Sequence, residues 1–144
     1  VLLNGAEVTA GRVHQPGDSA DPLAGVMLAT GFNYEPEVRR LQGPVFDSLI
    51  PRVRDIRRGG SAALDLCWVA VGRIDAYFEH GVRAWDVSAG ALACQSAGLT
   101  VRTMPAASGW PAGIAAGYPE VVAALVEACG SSDTAGDWPA TWVS

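Results

Sequence analysis

Lysine is absent from this 144-residue sequence, whose ten basic residues are all arginines and are outnumbered by fifteen Asp and Glu residues. The formal net charge is therefore −5. The densest group of arginines, at 52–58, is interrupted by Asp55. Because a nucleic-acid surface usually needs a more basic face than this, we interpret the group as a solvated face and expect no nucleic-acid partner. RNA binding through these arginines is the less favoured alternative.

Cysteine and histidine are also scarce. The three cysteines, Cys67, Cys94 and Cys129, have no CxxC spacing and are odd in number. This pattern favours buried free thiols in a reducing, cytoplasmic compartment over a zinc site or a disulfide framework. The two histidines, His14 and His80, stand apart in the sequence. A histidine metal cluster or a Ser/His/Asp catalytic set therefore has little support.

Long apolar runs are missing as well. No apolar stretch approaches the roughly 18 residues that cross a bilayer. The first apolar residues are interrupted by Asn4, Gly5 and Glu7, so we expect neither a signal peptide nor a membrane partner. What the sequence does contain is 49% hydrophobic and 17% charged residues. That composition is typical of one globular domain with a sizeable core.

Glycine and proline divide the rest of the sequence into alternating strands and helices, which indicates a layered α/β (α+β) domain. Asn4-Gly5 between apolar residues predicts a hairpin. Strands are predicted at 25–32, 53–57, 74–79, 99–103 and 113–117, and helices at 36–49 (with a split or kink at 43–44), 62–71, 86–97 and 119–129. Residues 131–144 show no periodicity and are predicted to be a flexible tail.

Three features of this scheme fall where strands end and helices begin. Gly59-Gly60-Ser61 joins a strand to a helix, Glu79 ends a strand, and Asp86 opens the next helix. Ligands in open α/β sheets bind beyond the carboxyl ends of strands, so these features are candidates for one cleft. Each also has a plainer interpretation: a tight turn for the glycines, a solvated strand end for Glu79, and a helix cap for Asp86. Trp85 is predicted to be a packing residue.

Two longer stretches carry a family resemblance. The segment AWDVSAGALACQSAG (84–98) resembles a signature of the inositol monophosphatase family, W-D-x-A-A-G followed by a helix and a glycine. IRRGGSAALDLCWVAVGRIDAYFE (56–79) and MLATGF (27–32) are similar to the same family. The likeness covers about residues 1–130. It implies the family's mixed sheet flanked by helices and, at the level of assembly, a homodimer.

The resemblance also implies a Mg²⁺-dependent phosphomonoesterase, with inositol 1-phosphate as the favoured substrate. The residue matching the family's metal ligand near the attacking water is Asp86, and Glu79 matches a glutamate that hydrogen-bonds a substrate hydroxyl. Gly60, Ser61 and Ala62 match the turn that lines the substrate ring. Carboxylate oxygens are the hard ligands that Mg²⁺ prefers. Other family substrates remain open: histidinol phosphate, 3′-phosphoadenosine 5′-phosphate and fructose 1,6-bisphosphate.

The sequence departs from the family in one respect. The family's main metal site, an acidic pair and an Asp-Pro-x-Asp-Gly-Thr loop in its N-terminal half, is not present. DPLAG (21–25) imitates the loop, but Ala24 stands where the second carboxylate belongs and Val26 follows Gly25, so we interpret the match as coincidence. We expect this chain to be the C-terminal part of such an enzyme, inactive by itself. A non-catalytic assembly module is the alternative.

Overall fold

The computed structural model describes residues 1–8, 19–130 and 135–138. The chain opens with a hairpin of two short strands, β1 (Leu2–Leu3) and β2 (Ala6–Glu7). Asn4 and Gly5 between them have φ values of 51° and 81°. Two positive φ values in a row are what a two-residue turn of type I′ requires. The predicted Asn-Gly hairpin is therefore confirmed.

The remaining described strands form one mixed sheet in the order β4-β3-β5-β7-β6-β8. The strand bounds are β3 Met27–Thr30, β4 Asp55–Arg57, β5 Ala76–His80, β6 Thr100–Met104, β7 Gly113–Gly117 and β8 Gly136–Asp137. The first three lie parallel to one another, whereas β7 runs antiparallel to β5 and β6. The parallel strands therefore end at the same edge of the sheet.

Helices cover both faces of the sheet, as expected for the fold class. Their bounds are α1 Pro36–Leu49, α2 Ala62–Ala70, α3 Ala84–Ser96 and α4 Pro119–Ala128. On one face, the α1/α4 layer buries Phe46 and Leu125 against Phe78. On the other, the α2/α3 layer buries Leu66 and Val87 against Tyr77. The core is thus split by the sheet into two apolar halves.

Strand β5 differs from its prediction. The alternation in IDAYFE predicted a strand with two unlike faces, yet four of the five residues of β5 are buried, Tyr77 completely. The reason is position: β5 lies between β3 and β7 with a helix layer on each side. Asp75, just before it, accepts a hydrogen bond from the Met27 N–H at 2.8 Å. Polar residues here are enclosed and partnered, not solvated.

Helix α1 runs through Pro44 as one element. The Gly43-Pro44 pair was expected to split or kink it, since proline removes a backbone donor inside a helix. Val45, Phe46 and Leu49 are all buried on the sheet. Burial of an apolar face, more than local propensity, holds a helix in a folded domain, and it carries α1 past the proline.

Burial was mispredicted at two side chains. Cys94 and Cys129 are buried free thiols as expected, and burial raises the pKa of each to about 12. Cys67 is also free but exposed. Trp85, predicted to pack, is 76% exposed. Both lie on helices of the α2/α3 layer, on sides that no described element covers.

The end of the chain also differs from its prediction in part. Within the predicted flexible tail, Gly136–Asp137 form β8, which pairs antiparallel with β6 at Arg102 and Thr103. The Arg102 guanidinium donates to the Ala135 carbonyl at 2.7 Å. Residues 131–134 and 139–144 lie outside the described residues. Among those that the structure describes, no helix has the length and apolar character to cross a membrane.

Candidate functional site

The predicted site residues lie at the edge of the sheet where the parallel strands have their carboxyl ends. Gly31 directly follows β3, the 58–61 turn follows β4, and Glu79 lies near the end of β5. Helices α2 and α3 begin immediately after β4 and β5. Topology therefore places these residues at one edge of the sheet, which is where ligands bind in folds of this kind.

Asp86 lies in the first turn of α3, two residues inside the observed helix start at Ala84. Its Oδ2 accepts a hydrogen bond from the Arg83 N–H at 3.1 Å, which makes it the N3 acid of a capping pair. The capping interpretation is therefore correct. No hydrogen bond to the other oxygen occurs within the described part of the chain. Capping fixes the carboxylate on a rigid element and leaves one oxygen for a ligand.

Glu79 is half-buried and held on two sides. Its Oε2 accepts a hydrogen bond from the Tyr77 hydroxyl at 2.6 Å. A Cβ at Gly31 would collide with the Glu79 carboxyl group, so that group lies directly over the Gly31 backbone. Burial raises the pKa of Glu79, while the Tyr77 hydrogen bond and the charge of Arg58 act in the opposite direction. Glu79 is thus a desolvated acceptor with a fixed orientation, not a solvated strand end.

Two features of the turn before α2 favour glycine at position 60: a positive φ angle and the close approach of a neighbouring side chain. Gly60 has a φ of 89°, a conformation that favours glycine. A Cβ there would lie 2.8 Å from Arg58 Nη1, so the guanidinium lies against this glycine. Ser61 is the N-cap, as predicted, and its hydroxyl accepts from the Leu64 N–H at 3.3 Å. Ala62 is the first residue of α2.

A further acid at this edge was missed in the sequence. Asp65, in α2, is 1% exposed, and neither of its oxygens has a hydrogen-bond partner in the described ranges. Its carboxyl group fills the space where a Cβ on Gly59 would stand. Burial raises its pKa, and Arg58 opposes that effect. The available signal was an acid on the otherwise apolar helix AALDLCWVA.

Carboxylates from β5, α2 and α3 all affect the pKa of one side chain, Tyr77. Burial raises the pKa of Tyr77 far above its usual range, and the charges of Glu79, Asp65 and Asp86 each raise it further. Electrostatic effects of this kind fall off with distance and screening. The predicted convergence of Glu79, Asp86 and the 59–61 turn at one acidic edge is consistent with these couplings.

This edge offers a cation few ligands from the described residues. In ranges 1–8, 19–130 and 135–138, no group of three or more His, Cys, Asp or Glu side chains is arranged to hold a metal ion. Asp86 fits as a single hard oxygen ligand. Asp21 of the DPLAG segment does not serve: its carboxylate accepts from the Arg52 guanidinium at 2.8 and 3.0 Å. That ion pair agrees with the interpretation of DPLAG as a coincidental match.

A mixed sheet between two helix layers, with acids at the ends of its parallel strands, defines an α+β protein with an acidic edge site. The chain belongs to the inositol monophosphatase family, whose model matches residues 1–132. This match confirms the resemblance indicated by residues 56–98. The family is one of phosphatase-type hydrolases.

Named relatives agree with this assignment. Inositol-1-monophosphatase SuhB of Mycobacterium tuberculosis is 46% identical over 109 residues, covering 75% of this chain and 38% of that protein. Nus factor SuhB of Pasteurella multocida is 51% identical over 77 residues, covering 53% and 29%. The solved structure of Mycobacterium tuberculosis SuhB matches with a TM-score of 0.66 at 39% identity, covering 79% and 46%. The chain therefore spans less than half the length of these relatives.

Proposed function

We propose that this chain forms the substrate-hydroxyl side of a Mg²⁺-dependent phosphatase that hydrolyses the phosphate monoester of a small polyol. The favoured substrate is inositol 1-phosphate, which gives inositol and phosphate. The observation that carries the proposal is the Glu79 carboxylate, fixed by Tyr77 at the same strand edge as Asp86. Relatives named as inositol-1-monophosphatases support the substrate class.

Glu79 binds and orients the substrate in this proposal. An ionised carboxylate only accepts hydrogen bonds, so it selects hydroxyl or amine donors on the ligand. Its partial burial strengthens such a bond because water competes less. Tyr77 already donates to Oε2, which leaves the remaining acceptor positions for substrate hydroxyls.

The 60–62 turn supplies the wall beside the substrate ring. Gly60 and Gly59 carry no side chains of their own, and the space beside them holds the Arg58 guanidinium and the Asp65 carboxyl group. Ser61 starts α2 with its hydroxyl turned to the Leu64 N–H. The backbone there is fixed by the positive φ of Gly60 and by the N-cap. A rigid wall of this kind positions a ring, and the Arg58 guanidinium against Gly60 adds a charge to it.

Asp86 is the proposed metal ligand of the chain. When bound, Mg²⁺ polarises the phosphate and lowers the pKa of water to supply the nucleophile. The Arg83 N–H holds one Asp86 oxygen and so directs the other. One carboxylate binds Mg²⁺ weakly, because affinity depends on ligand number and geometry. We propose that further ligands come from outside this chain, and that the 144 residues alone turn over little or no substrate.

The alternatives to this proposal are either phosphatases with another substrate or a protein without catalytic activity. Histidinol phosphate, 3′-phosphoadenosine 5′-phosphate and fructose 1,6-bisphosphate are the rival phosphate esters. A binding module without catalysis is favoured by a different observation, the relatives named Nus factor SuhB at up to 52% identity. We further propose a homodimer in the cytoplasm, in keeping with the family and with the exposed Trp85.

The test is phosphate release with Mg²⁺ from each of the four esters. It uses the chain and a chimera in which its residues 1–130 replace the aligned part of the Mycobacterium tuberculosis relative. We expect the chimera to prefer inositol 1-phosphate and Asp86→Asn to reduce its turnover at least about a hundredfold. Asp47→Asn, on an exposed part of α1, is the matched control. A folded chimera that is inactive on all four esters would contradict the catalytic proposal and favour the binding module.

A further inference from the structure

Tyr77 carries a polar group within the hydrophobic cluster of the α2/α3 layer. Its ring is completely buried in the α2/α3 layer, yet its hydroxyl reaches the acidic edge and donates to Glu79 Oε2 at 2.6 Å. The family resemblance gave Tyr77 no role. A buried hydroxyl at such a place needs a partner, since an unpaired one costs free energy, and here its partner is the proposed substrate acceptor.

We propose that Tyr77 is a positioning residue for Glu79, whose hydroxyl sets the direction in which the Glu79 carboxylate meets a substrate hydroxyl. The inference rests on the proposed function for its kinetic consequence, although the contact itself does not. It assigns Tyr77 to substrate specificity through Glu79, without contact to the reacting phosphate.

The strand geometry makes this contact possible. Residues two apart in a strand point to the same face and are separated by about 7 Å along the backbone. A tyrosine at 77 is long enough to reach the carboxylate at 79 across that spacing. On the other side of the carboxylate, Gly31 follows β3 and leaves room only because it has no Cβ. The group is therefore held between the Tyr77 hydroxyl and the Gly31 backbone.

The charges around Glu79 explain why a neutral donor is placed there. Burial and the neighbouring Asp65 and Asp86 raise the pKa of Glu79, whereas the Tyr77 hydrogen bond and Arg58 lower it. The same burial and acids raise the pKa of Tyr77, so that its hydroxyl stays protonated as a donor. Among the opposing effects the Tyr77 bond is the largest. Removing it leaves Arg58 alone to favour the ionised Glu79.

The first test needs no catalysis. In the 144-residue chain, carbon NMR follows the titration of the Glu79 carboxyl group in the wild type, in Tyr77→Phe and in Tyr118→Phe. Tyr118 follows β7 at the opposite edge of the sheet, and so serves as the matched control. We expect Glu79 to titrate at higher pH in folded Tyr77→Phe and unchanged in Tyr118→Phe. An unchanged titration in Tyr77→Phe overturns the inference.

The second test is kinetic and uses whichever of the chain and the chimera releases phosphate. Loss of one hydrogen bond to a charged group predicts about a tenfold rise in KM for Tyr77→Phe, with kcat nearly unchanged. Gly31→Ala, which displaces the same carboxylate, is expected to raise KM likewise. A purely structural role would lower the folded fraction without raising KM, and that result counts against Tyr77.

The two proposals fail separately. If neither protein releases phosphate, the proposed function fails, and the NMR titration still decides the role of Tyr77. If the wild type is active and both variants keep its KM and its Glu79 titration, the positioning role is wrong while the phosphatase proposal stands.

Discussion

Glu79 and His80 are neighbours on β5, yet they lie in opposite layers and in opposite chemical situations. Glu79 is half-buried at the acidic edge, with Tyr77 as its donor. His80 is buried beside Trp110, with ring centroids 4.4 Å apart, and neither of its nitrogens has a hydrogen-bond partner in the described part of the chain. Burial lowers the pKa of His80 to about 4. Glu79 is therefore a hydrogen-bond acceptor that Tyr77 holds in a fixed orientation. His80 is a neutral side chain that packs in the core.

The two helix layers on either side of the sheet differ in a similar way. The α1/α4 layer encloses aromatic and branched side chains together with Gln42 and His80. The α2/α3 layer brings two helices together through small residues and carries Asp65 and Asp86 toward the strand ends. The difference indicates that one layer stabilises the fold while the other also carries acids of the candidate site.

The largest expected effect concerns His80 and pH. Because its folded pKa of about 4 lies below the ordinary histidine value of 6.5, the unfolded chain binds a proton in this pH range that the folded chain does not. His80 therefore destabilises the protein progressively as pH falls from 6.5 toward 4, by up to about 3 kcal/mol. Urea unfolding of the wild type and His80→Leu at a series of pH values measures this. A difference between the two that stays constant with pH would show that His80 protonates normally in the fold.

The next effect concerns the partnered acid on the other face. Glu79→Gln keeps the shape but weakens acceptance of a substrate hydroxyl, so kcat/KM should fall about thirtyfold. His80→Leu, one residue away, should change it little, since the ring faces the other layer. Initial rates with inositol 1-phosphate in the chimera separate the two. Equal losses of kcat/KM in Glu79→Gln and His80→Leu would contradict a functional difference between the two helix layers.

Helix packing gives a third comparison. Gly90 of α3 lies against α2, where an added Cβ would come within 2.5 Å of Leu66 Cβ. At Gly43 of α1, no described atom from another part of the chain lies within 4 Å of that position. We expect Gly90→Ala to destabilise the chain by about 1 to 2 kcal/mol through overpacking. Gly43→Ala should change the stability little, because the gain in helix propensity is offset by the strain on a residue with a Cβ that precedes Pro44 in a helix. Denaturant unfolding measures both variants.

The smallest effect tests the contact that was missed in the sequence. Gly59→Ala should collide with the Asp65 carboxyl group, and Asp65→Ala should remove the collision. A double-mutant cycle on unfolding free energy should therefore give a coupling of about 1 kcal/mol. Additive effects of the two substitutions would mean that Gly59 is required by its turn alone.

Local sequence patterns were sufficient to predict most of the elements and to place the candidate site residues at strand ends and helix starts. Asn4-Gly5, Pro36, Ser61 and Pro119 each dictate local geometry, and the structure has a turn or a helix start at each. The strand-end placement of Glu79 follows from the same patterns, since it depends only on element order.

The side-chain contacts and burial that could not be predicted from the sequence depend on the helix layers above and below each strand. Tyr77 and Glu79 looked like one polar face of β5, and only the α2/α3 layer makes them a buried donor and its acceptor. The exposure of Trp85 and Cys67 likewise reflects which helix sides lack a neighbour. Asp65 was missed because its environment is formed by Gly59 and Arg58 across a turn, a contact that periodicity does not encode.

Asp86 is proposed to bind Mg²⁺ at the same edge of the sheet as the acceptor Glu79. The decisive measurement is the Mg²⁺ dependence of phosphate release from inositol 1-phosphate, compared between the chimera and its Asp86→Asn variant. We predict release that rises to saturation with Mg²⁺ in the first and is lost in the second at every Mg²⁺ concentration. Superimposable Mg²⁺ curves for the two proteins would contradict it.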